Sequence, residues 1–229
     1  MAMTDITSDT SILAERPLAL VTGASRGLGF ALAAALGAAG WHVLAVARTV
    51  GGLEELDDRI TQAGGSATLA PLDVTDDGAM DHLAKQIAAR WGGLGLWVHA
   101  AIHAPPLSPA GHLDMKDMDK ALKVNLRATA TLIPLIEPLL RAKGGTALFL
   151  DDPRAGEKFF GAYGATKGAQ MALARSWQTE TERTGPRILI AAPRPTATAT
   201  RARFFPGEDR AALADIHEEA ARLLSLLGP

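Results

Sequence analysis

The 229-residue chain carries 25 acidic against 23 basic side chains, a formal net charge of -2, and no cysteine. That balance excludes a broad basic field for nucleic acid, and the missing thiols exclude disulfides, thiolate catalysis and Cys-ligated zinc. With 48% apolar and 21% charged residues it reads as one globular domain, and its apolar runs break off well short of the ~20 residues of a membrane span.

The first sixteen residues are polar (Thr4, Asp5, Thr7, Ser8, Asp9, Thr10), without a basic start or an apolar secretory core. They read as a mobile extension (1–16) ahead of a domain at 17–229, and the expected location is cytoplasmic. Strand and helix signals then alternate. A buried strand at 18–22 leads to a helix over 26–39, ended by Gly40. A second strand (41–47) precedes a helix over 53–63 closed by Gly64-Gly65, and a third (67–72) ends at Asp73. Thr75 caps a helix that runs to Arg90, and a fourth strand (94–101) opens into the Pro-rich loop 104–109. A long helix over 116–142 contains Pro134 and Pro138, which are expected to kink it. A fifth strand (146–150), a helix over 161–184, a sixth strand (187–192) and a final amphipathic helix (209–227) complete the chain. The pattern implies an α/β fold: one doubly wound, Rossmann-type domain with about six parallel strands and helices on both faces.

Residues 21–30 read Val-Thr-Gly-Ala-Ser-Arg-Gly-Leu-Gly-Phe. A strand that enters a glycine loop and opens a helix presents unpaired N–H groups, backed by the helix dipole, to an anion. The spacing is G-x-x-x-G-x-G, yet Gly23, Gly27 and Gly29 suit the jobs of a dinucleotide loop: a tight turn, close approach to pyrophosphate, and close helix–strand packing. Ser25, Arg26 and Leu28 lie between them. By itself such a turn fits a bare connection as well as a nucleotide site.

Arg48 follows the second strand, where an acidic residue would bind an unmodified ribose diol. Arg48 and Arg26 suit a 2′-phosphate instead, which favours NADP(H) over NAD(H); two surface arginines are the bland alternative. Asp73 is equally an acceptor for an adenine amino group or a turn residue. Tyr163 and Lys167, four apart, share one helical face, and an ammonium near a phenol lowers its pKa toward a workable acid. The histidines show no metal-ligand spacing, so no metal is expected.

Thr22-Gly-Ala-Ser-Arg-Gly-Leu-Gly29, Asp73-Val74, Asn125 within Lys-Val-Asn-Leu, Tyr163-x-x-x-Lys167 and the Pro193…Thr198 loop together resemble the short-chain dehydrogenases/reductases in order and spacing, over residues 17–227. The resemblance implies a nicotinamide cofactor held by the glycine loop, Arg48, Asp73, Val74 and Ala100. It implies Tyr163 as proton donor, Lys167 as its tuning and ribose-binding partner, Asn125 as the holder of a relay water, and Thr198 at the nicotinamide carboxamide.

Four features depart from the family pattern. The usual Asn-Asn-Ala-Gly appears as Val98-His99-Ala100-Ala101, where His99 either lines the cleft and reaches substrate or packs as a core histidine. No serine or threonine lies between Phe149 and Tyr163; Asp151-Asp152 stand where the family carries its serine. An ionised aspartate only accepts hydrogen bonds and raises the pKa of a nearby tyrosine. It is expected to stay protonated, to pair with Arg154 or a cationic substrate, or to leave reduction weak. Arg194 replaces the glycine after Pro193, either to pair with Asp151 or Asp152 or to sit in solvent. The chain ends at Gly228-Pro229, where many relatives continue into a seventh strand. That favours a homodimer through the two long helices over a tetramer.

The expectation is an NADP(H)-dependent oxidoreductase acting on a small carbonyl or alcohol substrate, with no nucleic-acid or membrane partner. The alternative is a catalytically impaired nucleotide-binding protein with a structural or regulatory role.

Overall fold

The computed structural model describes residues 16–228; the extension expected at 1–16 therefore lies almost wholly outside the described residues. Six strands, β1 (Leu18–Thr22), β2 (His42–Val46), β3 (Ser66–Ala70), β4 (Leu96–His99), β5 (Thr146–Leu150) and β6 (Arg187–Ala191), pair in parallel in the order β3-β2-β1-β4-β5-β6. The order reverses between β1 and β4, which opens a crevice at their carboxyl ends.

β1 and β2 are buried along their whole length, as the inner strands of a parallel sheet covered on both faces must be. Successive side chains point to opposite faces. Leu18, Leu20 and Trp97 enter one core with Phe149 and Trp177, while Ala19, Val21 and Val98 enter the other with Leu32 and Leu56. Thr22 and His99 continue the first set, so their side chains point toward the Trp97 face, just below the crevice.

Helices α1 (Gly27–Ala38), α2 (Val50–Gln62) and α3 (Asp77–Trp91) follow the first three strands. The alanine-rich α1 is buried on most sides because the sheet and its neighbouring helices close around it. Asp76 caps α3 by accepting from the Ala79 amide at 3.0 Å.

The long helix at 116–142 is three segments: α4 (Met115–Ala121), a π-helical stretch (Leu122–Arg127) and α5 (Ala128–Lys143). Pro134 and Pro138 are accommodated inside α5. The departure from α geometry falls earlier, at the turn that carries Asn125. A widened turn of this kind re-aims a side chain.

Helix α6 (Gly161–Thr181) ends three residues before the expected boundary. Two further differences lie near the C-terminus. A short helix, α7 (Ala199–Phe204), occupies a stretch read as loop, capped by Thr198. The final helix, α8 (Ile216–Ser225), starts later than expected because Asp215 accepts from the amides of His217 and Glu218 and sets its first turn there. No helix among the described residues is long and apolar enough to cross a membrane.

Candidate active site

One cleft of about 460 Å3 runs along the carboxyl edge of the sheet from Arg48 to Phe205. Its floor at one end is the glycine loop. Gly23 has φ +81 and Gly27 φ +61, backbone that favours glycine. A Cβ on Gly29 would stand 2.3 Å from the Gly23 carbonyl oxygen, so α1 can start against the loop only without a side chain there. Arg26 immediately precedes α1 and makes no side-chain cap bond. The first-turn N–H groups of that helix have no intrahelical acceptors, and with Ser25 and Leu28 they border a cleft suited to an anionic bridge.

Arg48 is exposed, and its guanidinium lies 3.7 Å from Asp73 Oδ2. Asp73 Oδ1 accepts from the Thr75 amide at 2.9 Å. Burial alone would raise the Asp73 pKa, but the Thr75 contacts and Arg48 together hold it below the usual carboxylate value. The residues expected at the 2′-phosphate and at the adenine thus face each other across the same mouth, with Val74 and Ala100 along the adjoining wall.

At the other end the phenolic hydroxyl of Tyr163 donates to Asp152 Oδ2 at 3.0 Å. Asp152 Oδ1 accepts from Arg154 Nε at 3.0 Å, and Arg154 Nη1 also bonds both oxygens of Glu157. The pairing of Asp152 with Arg154 expected from the sequence is present, and it is compatible with full as with weakened reduction. Burial, followed by the charge and hydrogen bond of Asp152, pushes the Tyr163 pKa well above its ordinary value. The lowering expected from Lys167 is not what acts on the phenol: burial and Asp152 raise its pKa, and the opposing cation is Arg154. Lys167 is 4% exposed, and burial brings its pKa down to about 8, opposed by Asp151 and Asp152. Its ammonium donates to Gln170 Oε1 at 2.6 Å.

The other expected residues are placed as follows. Asp151 accepts from Arg175 Nη2 at 2.8 Å. His99 is 2% exposed, with Nδ1 2.8 Å from Thr22 Oγ1 and Nε2 3.0 Å from Thr129 Oγ1. Burial, then the Lys167 charge, lowers its pKa to about 3. It both borders the cleft and packs as a core histidine, and with both ring nitrogens already bonded no nitrogen is left for a substrate.

Asn125 is fully buried. Its amide oxygen accepts from the His103 N–H at 2.7 Å, and its amide nitrogen donates to His103 O at 2.9 Å and Thr166 Oγ1 at 3.0 Å. With both amide hydrogens committed, this side chain clips the post-β4 loop to α6. Thr198 accepts from the Arg201 amide at 3.2 Å while bordering the cleft.

Arg194 pairs with neither aspartate. Its backbone N–H and its Nε donate to the buried carboxylate of Glu219 on α8, at 2.9 and 2.5 Å. Phe204 packs against Tyr163 and Phe160, with ring centroids 4.8 and 5.0 Å apart. Sequence reasoning missed Gln170, Thr129 and Glu219. Gln170, three residues after Lys167 on the same helical face, was the detectable one.

The family described as short chain dehydrogenase matches residues 17–209. The chain belongs to the short-chain dehydrogenases. Within them it is 33% identical over 167 residues to a fatty acyl-CoA reductase of Acinetobacter baylyi, an alignment covering 71% of this chain. The chain spans only 57% of that reductase's length. A short chain dehydrogenase from Salmonella enterica superposes with a TM-score of 0.88 at 26% identity, covering 94% of this chain and 91% of that one. A metagenomic short-chain oxidoreductase in complex with NADP gives 0.79 at 25% identity, covering 93% and 90%. The Rossmann-type architecture and the oxidoreductase family therefore stand together.

Proposed function

We propose that the protein is an NADP(H)-dependent oxidoreductase that interconverts a carbonyl and an alcohol on a small-molecule substrate. The observation that carries the reading is one cleft that joins the glycine loop, Arg26 and Arg48 at one end to Tyr163 and Lys167 at the other. The residues fit the dinucleotide. Gly29 admits no Cβ because α1 packs directly on Gly23, which brings the N-terminus of α1 to the cleft at Gly27 and Leu28, and Arg48 is 58% exposed, open to a 2′-phosphate. The NADP complex of the metagenomic relative supports the same assignment.

A bound nicotinamide would supply or accept hydride at the Tyr163 end. Gly23–Gly29 would hold the phosphate bridge, Asp73 and Val74 would flank the adenine, and Thr198 would flank the carboxamide. Lys167 would meet the ribose with the ammonium hydrogens not given to Gln170. Tyr163 donates its phenolic hydrogen to the oxygen of the reacting carbonyl. For that, the hydroxyl must turn away from Asp152, which competes for the same hydrogen. Two copies of the chain are proposed to pair through α4–α5 and α6, where Met115 and Leu122 stay exposed.

The Tyr163–Asp152 contact favours a second reading, a nucleotide-binding protein whose chemistry is impaired. A panel of aldehydes, ketones and alcohols, assayed with NADPH or NADP⁺, decides between them. Turnover abolished by Tyr163→Phe supports the oxidoreductase; tight NADPH binding without turnover supports the alternative.

A further inference from the structure

Behind the cleft, a buried chain of hydrogen bonds ends on Lys167. The Lys167 ammonium donates to Gln170 Oε1, and Gln170 Nε2 donates to Thr129 Oγ1 at 2.9 Å. Thr129 gives its own hydrogen to the Asn125 carbonyl at 2.9 Å. A hydroxyl has one hydrogen to give and two lone pairs. Thr129 Oγ1 also lies 3.0 Å from His99 Nε2. His99 Nδ1 in turn lies 2.8 Å from Thr22 Oγ1, a hydroxyl that is also 3.3 Å from the Val98 carbonyl.

All of these residues are buried. Reversing the Gln170 amide would set its NH2 against the ammonium and its oxygen against a hydroxyl whose hydrogen is already used. The Gln170 amide is thus oriented one way, carbonyl to Lys167 on α6 and NH2 to Thr129, and the contacts continue through His99 to Thr22, the last residue before the glycine loop.

We propose that Gln170 is a positioning residue for Lys167: its carbonyl fixes the ammonium at the cleft, and its amide group anchors that ammonium to Thr129, His99 and the root of the glycine loop. The inference rests on the oxidoreductase reading for its purpose and on the hydrogen bonds for its geometry. Gln170 is the only side chain among the described residues that hydrogen-bonds the Lys167 ammonium. It holds the charge without neutralising it. The compensating charges come from Asp151 and Asp152 at the end of β5, while His99 from β4 stays neutral. A carboxylate at position 170 would favour the ammonium strongly, and an aliphatic side chain would leave it without a partner.

The test is an NMR titration of Lys167 in nucleotide-free protein carrying 13Cε-labelled lysine, with Lys167→Arg to assign the signal. Gln170→Glu is expected to raise the Lys167 midpoint by about one pH unit or more, and Gln170→Leu to lower it. Equal midpoints in wild type and Gln170→Glu overturn the proposal, whether or not the leucine variant folds. Nucleotide affinity gives a second readout. Gln170→Leu is expected to weaken NADPH by about tenfold while sparing 2′,5′-ADP, which lacks the nicotinamide ribose. Equal weakening of both marks a merely structural role and overturns the proposal. If wild-type protein binds neither nucleotide, the oxidoreductase reading falls, and the Lys167 titration still decides the role of Gln170.

Discussion

Tyr163 gives its phenolic hydrogen to Asp152 at 3.0 Å, and Arg154 holds the other oxygen of the same carboxylate at 3.0 Å. The proton donor of the proposed reaction is thus bonded, before substrate arrives, to a group that can only accept. Asp152→Ser replaces that acceptor with a hydroxyl that can also donate. This variant is expected to reduce carbonyls roughly tenfold faster than wild type, measured as kcat/KM with NADPH.

The same contact has an optical signature. Tyr163 is the single tyrosine of the chain, so phenolate absorbance reports it alone. Burial and Asp152 raise its pKa, so the folded protein should form no phenolate until well above the pH where a free tyrosine ionises. Asp152→Ser should bring the midpoint down. An unchanged midpoint would place the cause in burial alone.

At the adenine end, Arg48 faces both Asp73 and solvent. Arg48→Ala is expected to cost NADPH about tenfold in affinity, the loss of one charge-assisted contact, and to leave NADH nearly unchanged. Arg26→Ala should narrow the gap in the same direction. Fluorescence titration with both cofactors checks this.

Gly29→Ala places a methyl group 2.3 Å from the Gly23 carbonyl oxygen. Either the loop or α1 must move. NADPH affinity should fall by at least about tenfold, and stability by roughly 1–3 kcal/mol, read by calorimetry and urea unfolding.

Two buried groups set the response to acid. His99 has a folded pKa of about 3, below the value near 6.5 of an unfolded histidine. The stability it contributes is full above about pH 6.5 and is lost progressively as pH falls toward 3. Glu219 is held at about 2, by Arg222 foremost and by Arg194 against the opposing effect of burial. Its contribution is complete above the ordinary glutamate range and is lost between about pH 4.5 and 2. Urea midpoints should therefore begin to fall below about pH 6.5 and steepen below about 4.5. Glu219→Gln should shrink the lower component, to which Asp73 and Asp215 also contribute, and free the Pro193–Thr198 wall that Arg194 secures.

The alternation of apolar strands and helices was legible because inner parallel strands must be apolar on both faces. The glycine loop was legible because its backbone demands are local. The pair Asp151-Asp152 could be placed at the site, but not which of the two meets Tyr163. The path of the chain just beyond β5 decides that, sending Asp151 to Arg175 and Asp152 to the phenol. The Arg194–Glu219 pair joins residues from separate elements, and no local pattern announces such a contact. Gln170 sat in view at helical spacing, yet a buried glutamine and a solvated one look alike until the fold supplies Thr129 and His99.

The most direct test of the account is NADPH oxidation with a panel of aldehydes and ketones, run in parallel on wild type and Tyr163→Phe. Wild type is predicted to turn over at least one carbonyl, with that turnover lost by about 100-fold or more in the variant. Undiminished turnover in Tyr163→Phe, or saturable NADPH binding with no carbonyl reduced at all, would contradict it.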